Sequence, residues 1–475
     1  MESQFSGNKW LTFVLVAFGV FMSTLDGSIV NIALPAILDD FDERLAIVEW
    51  VVMIYLLTIT SFLLACGKLS DIYGHKKIYI IGLLLFSLSS LMCGLSTNIY
   101  FLIFSRMFQG FSSAMIMACT PALLVFSFPE SERGKVFGIN AMVVALGLTS
   151  GPAIGGLFVD LYSWRMIFFI NVPIGILGAI GSYFILKNFK LSTQDKDFDF
   201  KGSFFAAISI GSFLLVLTHG YEWGYKSFKL IGFSLVFLIF FTLFLFNEKN
   251  VKNPILNLKI FKNRMLSITS LSSTILFMIL FIIIFLMPFY LIKAKGLDST
   301  TSGYIMMTPF AFLFVVSPIS GNLSDYLGSR ILCTLGMIII FFGVLLCVFL
   351  DIDSSIKDVV LRLCLIGIGT SIFVSPNSAA LMTSIPENIK GTGGAIMAAA
   401  RNLGMVLGIA MAGSLFNFYF KSASGGKNLS NYSPEMNPAF IEAFQFTMTA
   451  TAVLALSAAV ITAFRGKELK RHGRK

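Results

Sequence analysis

Asp26 sits in FGVFMSTLDGSIVNIALPAIL, residues 18–38, a run that is otherwise almost wholly apolar. A carboxyl near the centre of a membrane helix costs about 2.5–3.5 kcal/mol on insertion scales, so ionisable groups in such places are functional by default. One function is open to it above others. A carboxyl can take a proton from one side of a membrane and give it to the other when burial, which favours the neutral acid, is offset by a nearby cation. Arg106, with Gln109 three residues on, supplies a cation in the fourth apolar run. Counting along the runs puts Asp26 slightly outward of the middle of the first and Arg106 and Gln109 in the outer half of the fourth. Arg106 is therefore expected within reach of Asp26, directly or through a water, and the pair reads either as a proton carrier with its modulator or as a permanent structural ion pair.

Three further polar residues stand in or beside apolar runs. Asn31 lies one helical turn plus one residue beyond Asp26, near the same face; it either hydrogen-bonds substrate or bridges helices. Glu49 precedes Trp50 at the outer end of the second run. It reads as an interfacial residue or as a second titrating, cation-attracting group. Arg401, in the thirteenth run, has three openings: to neutralise Asp26 across a cavity, to bind an anionic substrate group, or to snorkel to water. Asp26 is the one acid expected deep in the bundle, which points to monovalent cationic, neutral or zwitterionic ligands.

Other chemistries find no support. The six cysteines have no paired spacing, the three histidines are scattered, and no G-x-x-x-x-G-K-[ST] occurs. No disulfide framework, metal site, cofactor or ATP-driven motor is expected, and no catalytic constellation converges, so the chain does not read as an enzyme.

The elements that must hold these residues follow from composition. Of 475 residues 56% are hydrophobic and 13% charged, against about 25% charged in a soluble chain. Apolar runs long enough to cross about 30 Å of hydrocarbon as helix recur from end to end. The reading is fourteen helical spans at about 11–36, 47–66, 77–95, 99–126, 136–160, 166–186, 202–219, 228–246, 266–292, 302–321, 331–350, 359–383, 391–416 and 440–464. With the N-terminus inside, and Lys77 and Lys229 at span edges counted with their loops, 23 of the 35 Lys and Arg fall on cytoplasmic segments, nine on outer segments, and Arg106, Arg362 and Arg401 within spans. This obeys the positive-inside rule and makes both termini cytoplasmic. The net charge of +10 thus reflects topology and membrane lipid, with no nucleic-acid partner implied. The outer segment 417–439 is too polar to span and reads as a loop or small hairpin.

The chain also repeats itself. GKLSDIYG from Gly67 matches GNLSDYLG from Gly321, an offset of 254 residues or eight helices. Asp71 corresponds to Asp325, Lys76 to Arg330, Arg106 to Arg362, and Gly147, Gly151 and Gly156 to Gly404, Gly408 and Gly413. The expected organisation is a six-helix lobe over 1–190, linkers and two inserted spans over 191–262, and a second six-helix lobe with a basic tail over 263–475. Parallel repeats of this kind form two-lobed bundles with a substrate site near the midplane.

These features resemble the major facilitator superfamily, and more closely its fourteen-span drug:proton antiporters of the EmrB/QacA type. The resemblance runs over nearly the whole chain. It is carried by Leu25 to Pro35, by the loop motif Gly67, Leu69, Asp71, Gly74 and Lys76, by Arg106, Gln109 and Gly110, by YSWRMIFFINVPIG from Tyr162, and by DFDFKG before the seventh span. The most specific signature is G-x8-G-x3-G-P-x2-G-G, met by Gly138, Gly147, Gly151, Pro152, Gly155 and Gly156. In the family this motif accompanies exporters that exchange substrate for protons. Its glycines permit close helix approach and its proline bends the helix, which suits either a hinge between outward- and inward-facing states or a static seam. The loop cluster of Gly67, Asp71, Gly74, Lys76, Arg133, Asp325 and Arg330 is implied to latch the lobes. Ile72 and His75 depart from the family pattern, which often has Arg there.

The implied protein is an all-α membrane protein of the bacterial cell membrane, a monomer that exports lipophilic small molecules against protons by alternating access. Export of anionic amphiphiles such as lipids or fatty acids, with Arg106 and Arg401 on the headgroup, is the second transport reading. A non-transporting sensor or scaffold is the third.

Overall fold

The computed structural model describes residues 9–186, 199–224, 226–251, 262–384 and 390–465. Fourteen helices in it are long and apolar enough to cross a membrane. They are α1 (Lys9–Phe41), α2 (Trp50–Tyr73), α3 (His75–Gly94), α4 (Ile99–Ser127), α5 (Glu130–Leu161), α6 (Asn171–Ile185, entered through the short turn Met166–Phe169), α7 (Phe200–Trp223) and α8 (Phe228–Asn250). The remainder are α9 (Arg264–Phe289), α10 (Ser299–Met306, Thr308–Ala311 and Val316–Leu327), α11 (Ser329–Cys347), α12 (Ile356–Thr383), α13 (Lys390–Ala423) and α14 (Asn437–Ala463).

Helix ends follow local chemistry. Asn98 caps α4 by accepting the Phe101 N–H at 2.8 Å, Asp298 caps α10 through the Thr301 N–H at 2.8 Å, and Ser355 with Asp358 forms a capping box on α12. Each side chain satisfies a backbone donor that has no partner inside its helix. Both copies of the G-x-L-S-D-x-x-G motif end in the same way. Gly74 (φ 95°) and Gly328 (φ 85°) turn the chain between consecutive helices, with their N–H groups on Ser70 O and Ser324 O. That region of φ disfavours any residue with a Cβ.

Two spans differ from the sequence reading. The run 302–321 was expected as one helix, but α10 is three short pieces separated at Met307 and at 312–315. Pro309 brings no N–H to the second piece, and its carbonyl lies where a Cβ on Gly367 would be only 2.7 Å away, so α12 packs on the break itself. The sixth span is likewise interrupted at Ile170. The outer segment after α13 forms two 3-10 turns, Leu429–Asn431 and Pro434–Met436, before α14.

Contacts group the chain into two compact units: Met1–Glu43, Ile47–Phe213 and Phe233–Ile255 in one; Arg44–Ala46, Leu214–Gly232 and Leu256–Lys475 in the other. In the first unit α1 packs along α5 and α3 along α4; in the second α9 packs along α13 and α11 along α12. The α1–α5 seam is made by glycines. A Cβ on Gly147 would lie 2.2 Å from Thr24 Oγ1, on Gly151 2.7 Å from Ser28 Cβ, and on Gly155 2.5 Å from Ile32 Cγ2. Ser28 donates across the seam to Leu148 O at 2.8 Å. In the second unit Gly404 and Gly408 meet α9 backbone at Thr274 and Met278 in the same manner. Small residues serve here because apolar burial gives membrane helices little drive to associate and close van der Waals contact takes its place. Along α8 the most apolar stretch has no buried residue, and Asp199 caps α7 through the Gly202 N–H at 2.8 Å.

Candidate functional site: a buried carboxylate on three donors

Asp26 lies on α1 at the level where Gly147 and Gly151 bring α5 against it, and it is completely buried. Arg106 of α4 meets it directly, Nη1 on Oδ2. Gln109, one turn further along α4, donates Nε2–H to Asp26 Oδ1 at 2.9 Å. Asn171, the first residue of α6, donates Nδ2–H to the same oxygen at 2.9 Å. Three buried donors from two helices thus converge on one carboxylate.

The guanidinium is itself held in place. Arg106 Nε donates to Val51 O at 2.9 Å and Nη1 to Gln109 Oε1 at 2.6 Å. Its plane lies over the Tyr55 ring, 4.1 Å from the centroid, with Phe168 at 5.7 Å. Tyr55 donates its O–H to Ser23 O at 2.9 Å, and its oxygen lies 3.1 Å from Ser113 Oγ, from which it can accept. Gln109 Nε2 also reaches Ser90 Oγ at 2.7 Å, and the Cys93 thiol donates to Gln109 Oε1 at 3.5 Å. A charge pair out of water needs such hydrogen bonds, because Coulomb attraction alone does not return the solvation lost; Arg106 Nη2 is the guanidinium nitrogen with no hydrogen-bond partner among the described residues.

The other sequence candidates are distributed as follows. Asn31 does not join Asp26; its amide turns back to Gly27 O and Ser28 O on its own helix at 3.2 and 3.3 Å. Glu49 is fully buried, immediately before α2 and two residues before the Val51 carbonyl that holds Arg106. Arg401 is on α13 in the other unit, half-buried, and its Nε has no hydrogen-bond partner among the described residues. Glu49, Asp199 and Glu248 are buried as well, each at or beside a helix end, so among the described residues Asp26 is the buried acid in the middle of a span.

In the antiporter motif, Gly138, Gly147, Gly151, Pro152, Gly155 and Gly156 are all on α5, with Gly147, Gly151 and Gly155 against α1. In the loop cluster, Asp71 faces His75 Nε2 at 3.5 Å, and His75 Nδ1 is 2.9 Å from Ser70 Oγ. Histidine thus stands beside the motif aspartate where the family pattern has arginine. Lys76 donates to Tyr183 O at 2.6 Å, tying the loop to the end of α6. Gly67 lies in the last turns of α2 and Arg330 is exposed; the side chains of Arg133 and Asp325 lie outside the described residues.

Sequence reasoning missed Asn171, Tyr55 and Ser90. Asn171 carried a signal, an asparagine inside the apolar run FFINVPIG, of the same kind that drew attention to Asn31.

The sequence profile of the Major Facilitator Superfamily matches residues 16–409. The chain belongs to the major facilitator superfamily. Among its relatives, the riboflavin transporter RibZ of Clostridioides difficile is 33% identical over 408 residues, covering 86% of this chain and 88% of that protein. The multidrug resistance protein Stp of Mycobacterium tuberculosis is 30% identical over 407 residues, covering 85% and 75%. Among solved structures, the inward-facing, unoccupied bacterial homolog of the human lysosomal transporter Spinster superposes with a TM-score of 0.73 over 96% of both chains, at 13% identity. That last likeness speaks to fold alone. The family is one of transporters rather than enzymes, this member has fourteen spans, and its relatives stand with the drug:proton antiporter type.

Proposed function

We propose that the protein is a proton-coupled exporter of lipophilic small molecules in a bacterial cell membrane, a monomer with both termini cytoplasmic, working by alternating access. Asp26 carries the proton and Arg106 modulates it. The observation that supports this reading is the buried pair itself: a carboxylate and a guanidinium, both without solvent exposure, joined by amide donors. Protonating Asp26 would leave Arg106 without its counter-charge inside the bundle. Charge on that pair and conformation are then linked, which is what coupling requires. The seam of glycines at Asp26 would let α1 and α5 shift against one another, and the loop cluster with His75 and Lys76 would latch the cytoplasmic end.

A second reading has a specific support. Likeness to a riboflavin transporter favours a flat, neutral heteroaromatic vitamin as cargo, moved by the same site in either direction.

The test is reconstitution in sealed vesicles with an imposed pH gradient, offered ethidium in one arm and radiolabelled riboflavin in the other. Wild type and Asp26→Asn are compared in each. Gradient-driven ethidium uptake that the mutant loses, with ethidium binding retained, supports the first reading. Riboflavin flux without ethidium flux supports the second. Gradient-driven flux that survives Asp26→Asn removes Asp26 as the carrier.

A further inference from the structure

Arg106 and Gln109 reach Asp26 from one helix, a single turn apart, and move with it. Asn171 reaches it from another, α6, just past the interruption at Ile170. The two amides also differ in what they have left to give. Gln109 is committed on both ends, its Nε2 to Asp26 and Ser90 and its Oε1 to Arg106 and Cys93. Asn171 is committed on one end only. Its Oδ1 is buried and has no hydrogen-bond partner among the described residues, a costly condition for a buried acceptor.

The groups around Asp26 offer few donors to that oxygen. Arg106 comes from α4, Tyr55 from α2 and Cys93 from α3; the Tyr55 hydroxyl and the Cys93 thiol already donate elsewhere, and Arg106 Nη2, which has no hydrogen-bond partner among the described residues, does not bond Asn171 Oδ1. At this level α5 presents Gly147 to Gly151, which carry no ionisable side chain. The donor that the site itself can generate is the proton of a protonated Asp26.

We propose that Asn171 is a positioning residue for the proton carrier, serving both of its charge states. With Asp26 as the carboxylate, Nδ2–H donates to Asp26 Oδ1. With Asp26 as the acid, the carboxamide turned over about its Cβ–Cγ bond accepts the Asp26 O–H on its own Oδ1. The terminal torsion of asparagine is broad and roughly two-fold, so the exchange conserves volume. The balance is simple: the arriving proton bonds to Asp26 Oδ1, the N–H···O contact opens and an O–H···O contact replaces it. The proposal rests on Asp26 being the proton carrier. It adds that α6 stays attached to α1 through the whole titration.

The experiment is pH-titrated infrared difference spectroscopy of the full-length protein in lipid, which needs no substrate. The C=O stretch of protonated Asp26 is assigned as the band missing from Asp26→Asn. Asn171→Leu removes both the donor and the acceptor. Since hydrogen bonds to charged groups are the stronger ones, the Leu variant should move the midpoint of that band up by about one pH unit. The band itself should move to higher wavenumber. Asn171→Ser, whose hydroxyl both donates and accepts, should fall between and keeps the test alive where the Leu variant does not fold. An Asp26 band with wild-type midpoint and frequency in the variants overturns the proposal and leaves the carrier reading intact. Absence of any Asp26-dependent band from about pH 4 to pH 10 overturns both.

Discussion

Arg106 and Asp26 stand 80 residues apart in the chain, yet Nη1 of one and Oδ2 of the other meet with neither residue exposed to solvent. The same guanidinium donates to the Val51 carbonyl and covers the Tyr55 ring. Removing it would strand a carboxylate in the bundle. Arg106→Ala should therefore destabilise by about 3–5 kcal/mol, read as a lowered thermal midpoint in detergent. Asp26→Asn strands the guanidinium instead, which unlike a carboxylate cannot neutralise itself, and should cost at least as much. Equal midpoints for Arg106→Ala and wild type would mean the pair carries no strain of burial.

Tyr55 divides its support between ring and hydroxyl. Tyr55→Phe keeps the face under Arg106 and loses the contacts to Ser23 O and Ser113 Oγ, a cost of about 0.5–1.5 kcal/mol. Tyr55→Leu also loses a desolvated cation–π contact of about 2 kcal/mol. Chemical denaturation should rank wild type, Phe and Leu in that order, and a Phe variant as damaged as Leu would refute the division.

The α1–α5 seam admits no added carbon. Gly151→Ala would set a Cβ 2.7 Å from Ser28 Cβ and 3.0 Å from the Ile29 nitrogen, forcing the helices apart at about 1–3 kcal/mol. Gradient-driven flux should fall by at least tenfold while the protein still reaches the membrane. Gly232→Ala on α8 is the control. Nothing lies within 4 Å of its Cβ position, and helix propensity makes the change neutral or stabilising by up to about 1 kcal/mol.

Asp298 gives a pH effect outside the membrane. The Thr301 backbone N–H it accepts holds its carboxyl below the usual carboxylate range. A depressed folded value contributes stability above the unfolded pKa of about 3.9 and loses it as pH falls through the folded value. Removing the cap with Asp298→Ala should lower the thermal midpoint at pH 7. The difference from wild type should shrink as pH drops below about 4, and a difference that persists there would assign the effect to packing.

Much of this was readable from residue order because a membrane imposes lengths. Each crossing needs about 20 apolar residues, so fourteen runs announced fourteen helices, and charges inside them had to find partners. That is why Asp26 and Arg106 could be matched before their helices were placed. Asparagine gives no such warning. Asn31 and Asn171 look alike in sequence, but one turns to its own backbone and the other to Asp26, since an amide is satisfied by either. The break in α10 was hidden for a related reason: an apolar run states that a segment is in lipid or protein, and only the packing of Gly367 on Pro309 states that it need not be continuous.

The two units use the same helix seams, but α9 from Thr274, where Gly404 and Gly408 meet it, on to Leu286 contains no ionisable residue. The duplicated architecture therefore has a carboxylate in one copy and aliphatic or aromatic side chains in the other. With Asp26 as the carrier, each turnover of such a machine moves a single proton. Exchange against a monovalent cation then shifts no net charge and responds to the pH difference alone, whereas exchange against a neutral molecule shifts one charge and draws on membrane voltage as well.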